Sequence, residues 1–187
     1  MRKTAVFGFL CFLLLVITQK SVRAEYFLPY PSAMPGNMMY AIERIADVMK
    51  HYWYFGTIAQ IKYRIGLSDK YLVEADVLFR HKQFLLAVDA LKRSDEQLFF
   101  IEELMRKGEE QKKKLTNLKE LLSFSVEAQL AVLGELINDM PEKVTWRPEK
   151  ASETDLPIQD LLFRSIKIRN DAMDAVKQQK SLSKRLW

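Results

Sequence analysis

One cysteine, two histidines, six glycines and six prolines in 187 residues leave little room for several kinds of chemistry. The single Cys11 lies in an N-terminal apolar run, so beyond that run the chain has neither a disulfide nor a thiol. Stability there must come from apolar burial without covalent staples. His51 and His81 have no His or Cys neighbour at metal-ligand spacing. Gly-rich phosphate loops, nucleophile elbows and zinc-helix motifs are missing. The carboxylate pairs Glu102–Glu103 and Glu109–Glu110 are adjacent, and neighbours on a helix diverge, so they belong on solvated faces. No catalytic residue, cofactor site or metal site is therefore expected. The scarcity of Gly and Pro allows long helices instead.

Positive charge is also scarce where it would matter. Four of the 29 Lys and Arg residues, Arg2, Lys3, Lys20 and Arg23, fall in the first 24 residues, which hold no acid. That leaves 25 bases against 24 Asp and Glu. The basic pI belongs mostly to the leader, which removes the electrostatic case for nucleic-acid binding.

The leader reads as a targeting segment. Arg2 and Lys3 precede an apolar run of 13 residues, 5–17, and Val22-Arg23-Ala24 offers a cleavage site before Glu25. The run is shorter than the ~20 apolar residues of a membrane span. A cleaved signal peptide over 1–24 and an extracytoplasmic (periplasmic or secreted) location are expected, with a retained N-terminal anchor as the alternative. Phe9-Leu10 before Cys11 lacks the small residue a lipidation site needs.

Residues 25–36 follow as a proline-rich docking segment, since Pro29, Pro31 and Pro35 forbid a helix. A helical domain is expected over 37–140. Met38, Ile42, Ile45, Met49 and Trp53 recur every three or four residues, which predicts a helix to about Trp53 with that stripe packed inward. Gly56 suits its C-cap. A second helix spans Ile58 to Lys82, bent near Gly66, where Ser68–Asp69 offers a new cap. A third runs from Phe84 to Gly108. Leu115, Leu118, Leu122, Val126, Leu130, Leu133, Ile137 and Met140 form the cleanest amphipathic stripe, which Pro141 stops. Residues 141–157 read as a loop without strands. Leu161, Leu162, Ile166, Ile168 or Arg169, Met173 and Val176 mark a last helix from about Ile158 to Gln179, then a basic tail.

The fold class that follows is an all-α antiparallel bundle of about four to five helices with short connections. Tyr71, Ala75, Leu78, Phe84, Ala87, Leu91 and Ser94 match the spacing of a tetratricopeptide-like helix pair. Only one such unit is visible and solenoids need about three, so an ordinary αα-hairpin is expected.

The stretch "YFLPYPSAMPGNMMYAIERI" resembles the start of a domain-of-unknown-function family of exported helical proteins. Its members begin with an aromatic-Leu-Pro-Tyr-Pro-Gly-x-Leu-Pro-x-x-Pro-x-Tyr pattern. Leu28, Pro29, Tyr30, Pro31, Met34, Pro35 and Tyr40 match, while Ser32 and Met38 replace a glycine and a proline. Residues 67–98 are similar to the family's second block: Glu74 and Ala75 agree, and Tyr71 stands where Arg is usual. The resemblance covers residues 26 to about 105. It implies export and an α-helical hairpin, and brings no activity.

The candidate partner-binding residues are Tyr52, Trp53, Tyr54 and Phe55 of "HYWYF", together with Tyr30 of the proline-rich segment. Five consecutive helical residues point all round, so some of these rings stay at the surface unless a partner covers them; otherwise they pack against the proline segment and seal the first helix corner. Tyr26, Phe27, Leu28 and Tyr30 are expected to lie across the helices and cap one end of the bundle, the alternative being a polyproline-type ligand for a partner's aromatic groove. A protein partner is expected, with peripheral membrane contact possible, for example through the tail "KSLSKRLW". The function that fits is a non-enzymatic exported interaction protein, a scaffold or accessory subunit in the cell envelope. The alternatives are a periplasmic chaperone-like client binder and, below it, an envelope enzyme using Glu74, His81 or other carboxylates.

Overall fold

A computed structural model describes residues 26–29, 34–35, 38–147 and 153–185; the side chains of Val48, His51, Tyr52 and 177–185 are outside that description. Five helices are described: α1 (Met38–Trp53), α2 (Thr57–Arg80), α3 (Phe84–Glu110), α4 (Thr116–Asp139) and α5 (Ile158–Arg185). Two short strands, β1 (Val144–Trp146) and β2 (Thr154–Leu156), sit between α4 and α5. The expected all-α bundle is present, and α2 with α3 forms its αα-hairpin.

The helices pack in a ring, with α2 against α3 and α4, and α5 against α3 and α4. Hairpin partners run antiparallel, but α2 lies beside a parallel α4. Arg80 at the end of α2 pairs with Glu135 and Asp139 at the end of α4. At the opposite pole, Gly108 faces Leu115 and Thr57, so α3 ends where α2 and α4 begin. The tight α2–α3 turn places Lys82 at a φ of 60°.

Two apolar clusters fill the ring. One joins Leu72, Leu78 and Phe79 of α2 to Ala87 and Leu91 of α3, Leu133 and Leu136 of α4, and Ile158 and Leu162 of α5. The other joins Ile61 and Ile65 to Leu98, Ile101, Met105, Leu118, Leu122, Val126 and Val176. All but one of the seven positions of the tetratricopeptide-type spacing are buried; Phe84 is half-buried and stacks obliquely near Phe79.

Four expectations need correction. The second helix is one continuous element through Gly66, as expected, but Ser68 and Asp69 cap nothing: both are fully buried inside the bundle. The stretch 141–157 is not strand-free. Val144 pairs with Leu156 and Trp146 with Thr154 in an antiparallel ladder, reinforced by a Thr145–Asp155 hydrogen bond of 2.9 Å. Three-residue strands are too short for a period to show in sequence. The backbone of α5 continues to Arg185, so most of the basic tail is helical. The fourth concerns α1: its apolar stripe faces solvent rather than the bundle, for reasons of charge given below. The proposed leader, 1–24, lies outside the described residues.

Candidate functional site

Between the two apolar clusters lies a layer of buried polar side chains, contributed by all four ring helices at positions in phase with their apolar stripes. Ser68 and Asp69 come from α2, Ser94 and the partly buried Asp95 from α3, Ser125 and Gln129 from α4, and Ser165 and Arg169 from α5. Arg169 is fully buried and is its centre. It donates to Gln129 Oε1 (2.8 Å), Asp95 Oδ1 (2.7 Å), Ser94 Oγ (2.8 Å), Ser165 Oγ and the Ser165 carbonyl (3.1 Å). Burial pulls the guanidinium below the ordinary arginine value, and the Asp95 charge opposes that shift. Asp69 accepts from Ser125 and Gln129, each at 2.6 Å. From the N-terminal segment, the Tyr26 hydroxyl donates to Asp69 Oδ2 (2.5 Å). Desolvation and the neighbouring carboxylate push that phenol well above its ordinary value. Tyr26 thus meets the middle of the bundle, not one end as expected. Such a layer fixes helix register, because a slip would strand Arg169 among apolar side chains.

The α1 helix is held to the bundle by its polar face. Its Asp47, only 6% exposed, and its Glu43 both take the Lys70 ammonium of α2, at 2.5 and 2.7 Å. Burial alone would lower Lys70, but its bonds to Asp47 and Glu43 outweigh that and hold it above the ordinary lysine value. The Tyr63 hydroxyl donates to the Asp47 carbonyl (2.6 Å). One turn away, the Tyr40 hydroxyl donates to Glu74 Oε1 (2.6 Å) and accepts from Arg93 of α3 (2.9 Å). Arg93 also reaches Glu74 Oε1 at 3.1 Å. Glu74 Oε2 is buried without a hydrogen-bond partner among the described residues. Buried carboxylates and amines need partners, so this cluster directs the polar arc of α1 inward. The apolar arc, at 100° per residue, is then turned out. Met38, Ile42, Ile45, Met49 and Trp53 are all exposed, Ile45 by 61% and Trp53 by 76%.

No family model matches this chain, and no curated protein or solved structure matches it.

A groove opens on the other side of α3, between it and α5. Val88, Leu91, Leu98, Leu161 and Ile168 give it an apolar floor, with Phe99 on one lip. Its rim carries Lys92, Glu96 and Glu102 from α3 and Arg164 and Asp171 from α5. Its volume is about 450 Å³. Asp95, bonded to Arg169, links the groove to the polar layer.

Of the partner-binding candidates singled out from sequence, the structure describes the side chains of Trp53, Tyr54 and Phe55. Trp53 and Phe55, 84% exposed, stand in solvent at the C-terminal end of α1. Tyr54 stacks on Tyr63, rings 4.6 Å apart and 17° from parallel, and keeps part of its surface exposed. Tyr30 and the Tyr52 side chain lie outside the described residues. Glu74 is buried under α1, whereas His81 is exposed in the α2–α3 turn with Nδ1 near the Val77 carbonyl (2.8 Å). The two are not brought together. Glu110 pairs with Arg106 on a solvated face, whereas Glu109 is partly buried in its pair with Lys119. Among the described residues no group of three His, Cys, Asp or Glu is arranged to hold a metal, and no helix is long and apolar enough to cross a membrane. Sequence reasoning missed the polar layer. Its one sequence signal is a polar residue at a stripe position: Ser68 in phase with Ile61, Ile65 and Leu72, and Ser94 with Leu91 and Leu98.

Proposed function

We propose that this chain is a non-enzymatic, exported helical protein that serves as a scaffold or accessory subunit of the cell envelope, taking a partner protein in the α3–α5 groove. The observation that carries the reading is the groove's lining: an apolar floor framed by acids and bases on both lips. That pattern complements an amphipathic helix of a partner, whose apolar side chains fill the floor while its own charges meet the rim. A volume of about 450 Å³ accommodates a few such side chains. The polar layer behind the groove keeps the helices in register and so holds the docking surface in shape. The titratable groups of that layer bond one another, as expected of a structural device rather than of groups poised for turnover.

The test is a photo-reactive side chain at Glu96, introduced into the full chain in its own cells. A single protein adduct, lost when Leu161 is replaced by Glu, is the expected result. Labelling of many unrelated unfolded proteins, together with suppression of their aggregation, would point to client shielding instead. No protein adduct at all would overturn the reading.

A further inference from the structure

We propose that α1 is an interfacial helix whose outward face seats on an anionic lipid surface. The observation is an amphipathic helix mounted with its apolar side away from the bundle. Met38, Ile42, Ile45, Met49 and Trp53 share that side. Phe55, just beyond the helix end, and Ile58, at the start of α2, are exposed as well. Isolated exposed apolar side chains are ordinary, but a continuous stripe over four helical turns is a surface that something covers.

Charge decides what covers it. The helix has two acids, Glu43 and Asp47, and both are turned inward onto Lys70. The two basic side chains described on it, Arg44 and Lys50, are exposed and stand on opposite edges of the apolar arc. Lys50 Nζ is 3.8 Å from Asp47, at the far edge of an ion pair, and remains mostly solvated. An apolar stripe with cations along both margins and an aromatic ring at its end is the pattern of a helix lying in a headgroup layer. The long basic side chains reach up to phosphates while the stripe sinks among the acyl chains.

Two other occupants fit less well. A second copy docking by twofold symmetry would set Arg44 and Lys50 of one chain against the same cations of the other. The apolar run 5–17 of the same chain holds no charge at all, so it leaves both cations unanswered. An anionic bilayer answers the stripe and the cations together. This inference uses α1 alone and is independent of the groove.

The experiment reads Trp53 itself, so that a leader retained on the chain does not blur it. In the full chain, Trp146→Phe and Trp187→Phe leave Trp53 as the only one of the three tryptophans. Vesicles of phosphatidylglycerol and phosphatidylcholine with brominated acyl chains should quench its emission, and pure phosphatidylcholine vesicles should quench it much less. Each cation near such a surface contributes about 1 kcal/mol, so Arg44→Gln with Lys50→Gln should weaken the lipid-dependent quenching about 30-fold. Ile45→Asp, at a solvated position, should abolish it while circular dichroism shows the bundle still folded. Unquenched Trp53 in the anionic vesicles would overturn the proposal. So would a concentration-dependent dimer that Ile45→Asp dissociates, since that would make a second copy the occupant.

Discussion

Replacing Arg169 by Met is the sharpest probe of the polar layer. The change removes five hydrogen bonds and leaves the Asp95 carboxylate, 17% exposed, with Ser165 as its remaining partner among the described residues. Breaking one side of a buried ion pair costs ~3–5 kcal/mol. Methionine keeps much of the stem's apolar burial, which offsets part of that. The expected net loss is about 3 kcal/mol, or about 6–12 °C in Tm for a chain of this size. Urea unfolding followed by far-UV circular dichroism measures it. The same physics predicts a rescue: Arg169→Met with Asp95→Leu removes the stranded charge as well, and should recover at least half of the loss. If the single variant unfolds within ~0.5 kcal/mol of wild type, as a surface change would, the layer is not the buried network described here. A double variant no better than the sum of the two singles would contradict the coupling.

Other outcomes follow from the same geometry. Tyr26→Phe deletes a hydrogen bond to the buried Asp69 and should cost about 1–2 kcal/mol by the same assay. Tyr40→Phe breaks the link from α1 to Glu74 and Arg93; hydrogen exchange should speed up in 38–53 while α2 to α5 keep their protection. Alkaline titration should show the tyrosinates of Tyr26, Tyr40, Tyr63 and Tyr71 forming above the ordinary tyrosine range, because burial raises all four. Groups whose folded value is raised contribute stability that is intact below the ordinary value, about 10 for tyrosine, and lost as pH climbs through the raised one. Lys70 has the same sign, so α1 should hold at neutral pH and detach only in strong alkali. Unchanged protection of 38–53 across that range would count against the Lys70 anchor.

The sequence carried the element boundaries better than the orientation of the elements. A period of three to four residues marks where α1 begins and ends, since it reports helix geometry alone. It cannot say which arc faces the bundle. That choice was made by partners distant in sequence: Lys70 for Asp47 and Glu43, and Arg93 with Glu74 for Tyr40. Ser68–Asp69 beside Gly66 suggested a cap because short polar side chains favour helix starts. Its burial depends on Ser94, Ser125 and Gln129, which lie 26 to 61 residues away. Arg169 shared its place in the stripe with Ile168, and only the carboxylate of Asp95 shows why the charged residue goes inside. The groove was legible as apolar positions on α3 and α5, but the gap between two helices is not a property of either one.

The outward face of α1 is tested most directly by thiol labelling. In a Cys11→Ser background, which leaves no other thiol in the chain, Ile45→Cys is compared with Leu72→Cys, a fully buried position on α2. Without lipid, Ile45→Cys should react with a maleimide nearly as fast as in the urea-unfolded chain, and Leu72→Cys should be slowed by orders of magnitude. Protection of Ile45→Cys to the level of Leu72→Cys would mean that the stripe is packed inward, contradicting the mounting of α1 described here.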